Sequence, residues 1–131
     1  MAESLFELGK LCDTILAINK NIQSTAIINK NGRAIEQKVR DGTAPQMTYR
    51  KNEMLLMQCA LTISMGRDFD EDYGPVGYAI IDRENTSMFS FPVDELIILV
   101  TSKKDISPIS LAKKITNTIK EHRTKALQIT R

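Results

Sequence analysis

The chain has no tryptophan, one histidine, two cysteines, three tyrosines and four phenylalanines among its 131 residues. Each shortage removes a class of chemistry. Surfaces that stack nucleic-acid bases need aromatic rings, and none follows Phe91, although the C-terminal end is the basic one. The lone His122 stands among Lys120, Arg123 and Lys125 and is expected to cap or solvate a helix end, where positive charge suits the dipole. No Gly-x-Ser-x-Gly element, phosphate-binding glycine loop or zinc-spaced Cys and His cluster accompanies it. Cys12 and Cys59 stand 47 positions apart and read as small core hydrophobes rather than as a Cys-x-x-Cys pair or a disulfide. No stretch approaches the ~20 consecutive apolar residues of a membrane span. The start, MAESLFELGK, has an acid at position 3 and no long apolar run, which argues against a secretory signal. A cytoplasmic protein without catalytic residues, cofactor or metal is expected.

What is present is the composition of an ordinary globular chain, 42% hydrophobic and 26% charged. Its length suits one domain over residues 1–131, burying roughly two-thirds of the unfolded chain's surface, with a short basic tail from about residue 124. The net charge of +2 hides an asymmetry, because residues 103–131 hold eight Lys or Arg against Asp105 and Glu121.

Hydrophobic spacing divides the chain into eight elements. Leu5, Leu8, Cys12, Ile15 or Leu16 and Asn19 recur every three or four residues, the period of an amphipathic helix over 2–19. Strand patterns at 24–28 and 33–39 flank Asn31-Gly32, a pair that favours the positive φ angles of a tight hairpin turn. A second helix is predicted over 47–65, ending at Gly66 in a left-handed cap. Three strand patterns follow at 76–81, 86–91 and 96–101. Ser107-Pro108 then starts a third helix with the stripe Leu111, Ala112, Ile115 and Ile119. The order α-β-β-α-β-β-β-α with short turns implies an α+β domain of three layers. Five mainly antiparallel strands form its sheet, with helices one and three on one face and helix two on the other.

The second helix is apolar nearly all round. At 100° per residue Leu55, Leu56, Cys59, Ala60 and Ile63 cover one broad face, and Met54, Met57, Leu61 and Met65 another almost opposite. A small domain offers one layer to cover such a helix, so the second face should meet another chain. The strand at 76–81 is apolar on both faces, with Val76, Tyr78 and Ile80 alternating with Gly77, Ala79 and Ile81, a liability at a sheet edge unless something pairs with it.

This order of elements resembles the roadblock or dynein-light-chain superfamily, related to the longin and profilin-like folds, over nearly the whole chain. Ala26-Ile-Ile-Asn-Lys-Asn-Gly-Arg33 looks like that family's strand-turn element, and Leu96-Ile-Ile-Leu-Val-Thr101 like its hydrophobic last strand. The resemblance implies a homodimer in which second helices pack together and third strands pair edge to edge. It also implies a non-catalytic platform, frequently for a small Ras-like GTPase. The interface is then expected at Met54, Met57, Leu61, Met65, Val76, Tyr78 and Ile80.

Between the second helix and the third strand lies RDFDEDYGPVGY, residues 67–78, with Asp68, Asp70, Glu71 and Asp72 close together. Asp68, Asp70 and Asp72 occupy positions one, three and five of a calcium loop, but Tyr73 and Ala79 stand where that loop needs glycine and a bidentate glutamate. The stretch therefore reads as an exposed connector whose acids either keep the rim of the interface soluble or meet a basic partner. Lys113, Lys114, Lys120, Arg123, Lys125 and Arg131 read as a solvated helix face and tail, a minority site for nucleic acid. The alternative to the adaptor is a small-ligand sensor of PAS or GAF type, holding its ligand between helix two and the sheet.

Overall fold

The computed structural model describes the backbone of residues 2–43, 47–104 and 107–130, and the side chains of residues 7–43, 47–104 and 107–123. The elements are α1 (Ala2–Leu16), β1 (Ile22–Ile28), β2 (Ala34–Val39), α2 (Tyr49–Gly66), a 3-10 turn (Arg67–Phe69), α3 (Asp70–Tyr73), β3 (Ala79–Asp82), β4 (Ser87–Val93), β5 (Leu96–Ser102) and α4 (Pro108–Thr130). The predicted order holds, with the 3-10 turn and the short α3 added after α2. The side chains of Leu5 and of residues 124–131, and the whole of Asp105, fall outside the described residues, while the backbone of 124–130, expected as a basic tail, belongs to α4.

The five strands lie in the order β2-β1-β5-β4-β3, every neighbouring pair antiparallel. Period-two alternation along β1 and β5 sends residues to opposite faces. Ile27 pairs with Ile98 and Thr25 with Val100, while Ala26 pairs with Leu99 and Ile28 with Ile97. The first set meets α1 and α4, where Leu11, Cys12, Ile15, Leu111, Ala112 and Ile115 close over Phe89 and Phe91. The second set meets α2, through Leu56, Ala60 and Ile63. The core is thus double and uneven, and α2 is held by a smaller apolar contact than the helices opposite.

The turn at Asn31-Gly32 forms as predicted, but only Gly32 takes a positive φ, of 81°. Its N–H donates to the carbonyl of Asn29 at 2.9 Å, and the Asn29 side-chain oxygen accepts from the N–H groups of Asn31 and Arg33 at 2.9 and 3.1 Å. The Asn29 carboxamide therefore does part of the turning.

Among the boundaries that differ from expectation, two bear on the site. Gly66 is right-handed, at φ −64°, and the helical path runs on through the 3-10 turn and α3 to Tyr73. The chain turns instead at Gly74, φ 83°, whose N–H donates to the Asp70 carbonyl at 2.8 Å. Glycine permits a left-handed cap without requiring one, and the acids that follow it favour the start of a helical turn over its end. Strand β3 begins at Ala79 rather than Val76. Pro75 has no N–H to give a ladder and Gly77 no side chain to pack, so Val76, Gly77 and Tyr78 stay outside it.

Candidate functional site: the outer face of the second helix

Thr48 accepts the N–H of Lys51 at 3.2 Å and so caps α2. From there the helix presents the two apolar faces that the spacing predicts, and the packing distinguishes them. Leu56, Ala60 and Ile63 are buried against the sheet and Cys59 is half-buried beside them. Met54, Met57, Leu61 and Met65 point away from the sheet, at 62%, 58%, 61% and 63% exposure. Soluble monomers seldom leave such a contiguous apolar row uncovered.

Two exposed rings follow the row, on the 3-10 turn and on α3. They are Phe69 and Tyr73, exposed at 59% and 89%. Around these rings stand Asp68, Glu71 and Asp72, all exposed, with Asp70 half-buried. Asp70 and Val76 line a hollow of about 260 Å³ with Arg67, Pro92 and Asp94.

β3 is the outermost strand on its side of the sheet, and its Ile81 is 55% exposed. Tyr78 and Ile80 are half-buried and lean on the core beneath α1 and α4, the Tyr78 ring centre lying 6.3 Å from that of Phe91. The seven residues expected at an interface therefore divide. Met54, Met57, Leu61 and Met65 form one exposed row on α2, Val76 lies exposed in the link before β3, and Tyr78 and Ile80 turn partly inward.

Arg67, just past the end of α2, and Arg123, within α4, meet at the β4–β5 turn. Asp94 there has φ 55°, its carboxylate accepts from the Arg123 guanidinium at 3.0 and 3.2 Å, and its carbonyl accepts from Arg67 at 2.9 Å. Of the basic positions on α4, Lys113, Lys114, Lys120 and Arg123 are exposed. His122 differs from expectation. It lies well inside α4, half-buried, with Nε2 3.7 Å from a Glu7 carboxylate oxygen on α1. The helix continues past it, so no helix end is there to cap.

Titration follows packing. Burial, aided by Glu36 and Asp13, pushes the Cys12 thiol up to about 12. Burial also raises that of Cys59, against a contact of 3.2 Å with the Ser90 hydroxyl. Hydrogen bonds from Lys104 and Ser87 hold the Asp82 carboxyl below its usual range. Among the described residues no cluster of His, Cys, Asp and Glu has the arrangement of a metal site, and no helix is long and apolar enough to cross a membrane.

A second concavity, of about 920 Å³, opens between the first half of α2 and the sheet. Ala26, Leu56, Met88 and Leu99 give it apolar walls, and Gln23, Arg83 and the Ser24–Thr101 hydroxyl pair, 2.5 Å apart, give it polar ones.

By sequence, the chain matches no family model and no curated protein. Its structure is similar to that of Myxococcus xanthus MglB, at 16% identity and TM-score 0.72, over 96% of this chain and 91% of that one. A Roadblock/LC7 domain from Streptomyces avermitilis matches at 11% identity and TM-score 0.68, over 91% and 97%. Schizosaccharomyces pombe profilin matches at 12% identity and TM-score 0.61, over 90% and 97%. The fold is thus one also seen in roadblock domains and in profilin.

Proposed function

We propose that the chain is a non-catalytic adaptor of roadblock type. In this reading residues 1–131 form one cytoplasmic domain that dimerises through the outer face of α2 and the free edge of β3. The dimer is a platform for a protein partner, and the family resemblance makes a small Ras-like GTPase the partner class to test. The observation that carries the reading is the uncovered row Met54, Met57, Leu61 and Met65. Fully burying one such side chain stabilises by roughly 1.5–3 kcal/mol, and a twofold axis doubles every contact. Val76, Tyr78 and Ile80 flank the β3 edge, and Asp68, Asp70, Glu71 and Asp72 form an acidic rim that faces a basic group.

Light scattering at tens of micromolar tests the dimer, and a clean monomer would sink it. Leu61→Lys should yield a folded monomer, since that side chain is exposed. Titration with purified small GTPases in their diphosphate and triphosphate states tests the partner class, and no binding in either state removes it.

A second reading rests on the concavity beside α2, which has the size and mixed lining of a small-ligand site. A panel of small apolar ligands, screened by thermal shift, tests it. A stabilising ligand whose effect is lost in Thr101→Trp supports the sensor role, and a flat screen counts against it.

A further inference from the structure

The concavity beside α2 exists because the first half of that helix stands off the sheet. The second half buries Ala60 and Ile63 against Ile28 and Ile97, whereas Leu56 alone is buried in the first half. Beneath the gap the strand register lays Val39, Ser24, Thr101 and Met88 side by side across β2, β1, β5 and β4. At ~4.8 Å between strands this floor is about 14 Å wide. Arg83 and Thr86 line the cleft from the turn that joins β3 to β4, beside Met88. Its volume of about 920 Å³ lies within the ~300–1,000 Å³ of small-ligand sites, so an apolar body of several carbons fits.

The charge of its walls has one sign. Lys51 and Arg83 both line the cleft, and no Asp or Glu among the described residues does. Neither cation belongs to an ion pair among those residues. The acid beside Arg83 in the chain, Asp82, is engaged by Lys104 and Ser87 instead. Glu53 and Glu84, the other acids close to the two cations in sequence, stay outside the lining. A cationic ligand would therefore meet two like charges, and a neutral one would leave both unused.

We propose that this cleft binds an amphipathic anion. Its apolar body lies along Val39, Leu56, Met88 and Leu99, and its single oxyanion head is drawn by Arg83 and Lys51. The inference rests on the small-ligand reading of the concavity, to which it adds the class of ligand, and it asks nothing of the dimer. Both cations are exposed, so the preference for an anion is modest in size and weakens as salt rises.

Calorimetric titration with octanoate, octanol and octylamine at low salt varies the head while the body stays the same. Octanoate should bind at least about fivefold more tightly than octanol, and octylamine most weakly. Arg83→Gln/Lys51→Gln should weaken octanoate about tenfold and leave octanol within about twofold. Thr101→Trp, which fills the middle of the floor, should abolish binding of both. Octanoate that binds no better than octanol overturns the anion and leaves the small-ligand reading standing, whereas no binding by any of the three removes both. Octanoate binding that the double variant does not change also overturns the proposal, because the ligand then sits elsewhere. That variant alters only exposed side chains, so it decides the matter even if Thr101→Trp fails to fold.

Discussion

A methyl group placed on Gly32 would stand 2.7 Å from the Cα of Met57, on the backbone of α2. The β1–β2 turn thus docks on the helix that carries the exposed row, at the row's own level. Gly32 is required twice, for its φ of 81° and for this close approach.

Gly32→Ala should therefore lower the free energy of unfolding by about 2–4 kcal/mol, the sum of left-handed strain and a displaced helix. Urea denaturation measures it. A loss below about 0.5 kcal/mol, typical of a neutral surface change, would mean that the turn and α2 are not in contact.

The two faces of α2 should separate cleanly in a mutational comparison. Leu56, buried at 3% exposure, should cost about 2–5 kcal/mol of stability as Leu56→Ala. Leu61→Ala, measured on the dilute chain, should cost less than about 0.5 kcal/mol, while raising the dissociation constant of the dimer. Equal losses at the two positions would show that both faces are core.

Much of this architecture is legible in the sequence because its periodicities are strong. Leu96–Thr101 is apolar on both faces, and the structure places it at the sheet's centre between β1 and β4. Even the split of α2 into two faces follows from 100° per residue. What stays hidden depends on contacts between distant residues. A methyl group placed on Gly66 would meet nothing within 4 Å, so no local packing marks this glycine as a helical residue and not a stop. The 3-10 turn and α3 that carry Phe69 and Tyr73 are hidden with it, because they form only if the path continues through that glycine. Tyr78 alternates correctly for a strand, but Pro75 and Gly77 delay β3, and the ring settles on Phe91 instead. The place of His122 depends on Glu7, a partner at the other end of the sequence that local spacing does not reveal.

The Asp94–Arg123 pair bridges a sheet turn and α4 in solvent. Exposed pairs contribute about 0.2–1 kcal/mol and are screened by salt. Asn tolerates the left-handed backbone that Asp94 adopts, at φ 55°. Asp94→Asn should then lose less than about 1 kcal/mol at low salt and nothing measurable in concentrated salt. A large loss independent of salt would assign Asp94 a role beyond its charge.

Thiol reactivity should report the packing of α1. Cys12 is fully buried and its thiol is pushed up to about 12, so iodoacetamide near neutral pH should leave it unmodified until the chain unfolds. Because the folded thiol holds its proton more tightly than the unfolded one, this group's contribution to stability is complete below about pH 9. It falls as pH rises toward 12. Rapid labelling of Cys12 in the native chain, read by mass spectrometry, would contradict the close fit of α1 on the sheet.

The position of β5 has a consequence for synthesis. β5 pairs with β1 on one side and β4 on the other, yet it is the last strand in the sequence. Until residues 96–102 leave the ribosome, the first hairpin and the β3–β4 hairpin are separate pieces, each with an open edge that β5 will fill. Isoleucines 27 and 28 and Phe89 and Phe91, all buried in the finished protein, are then exposed on those edges. A nascent chain halted before β5 presents two sticky strands and no way to join them. The sheet closes from the outside inward, and its centre arrives last.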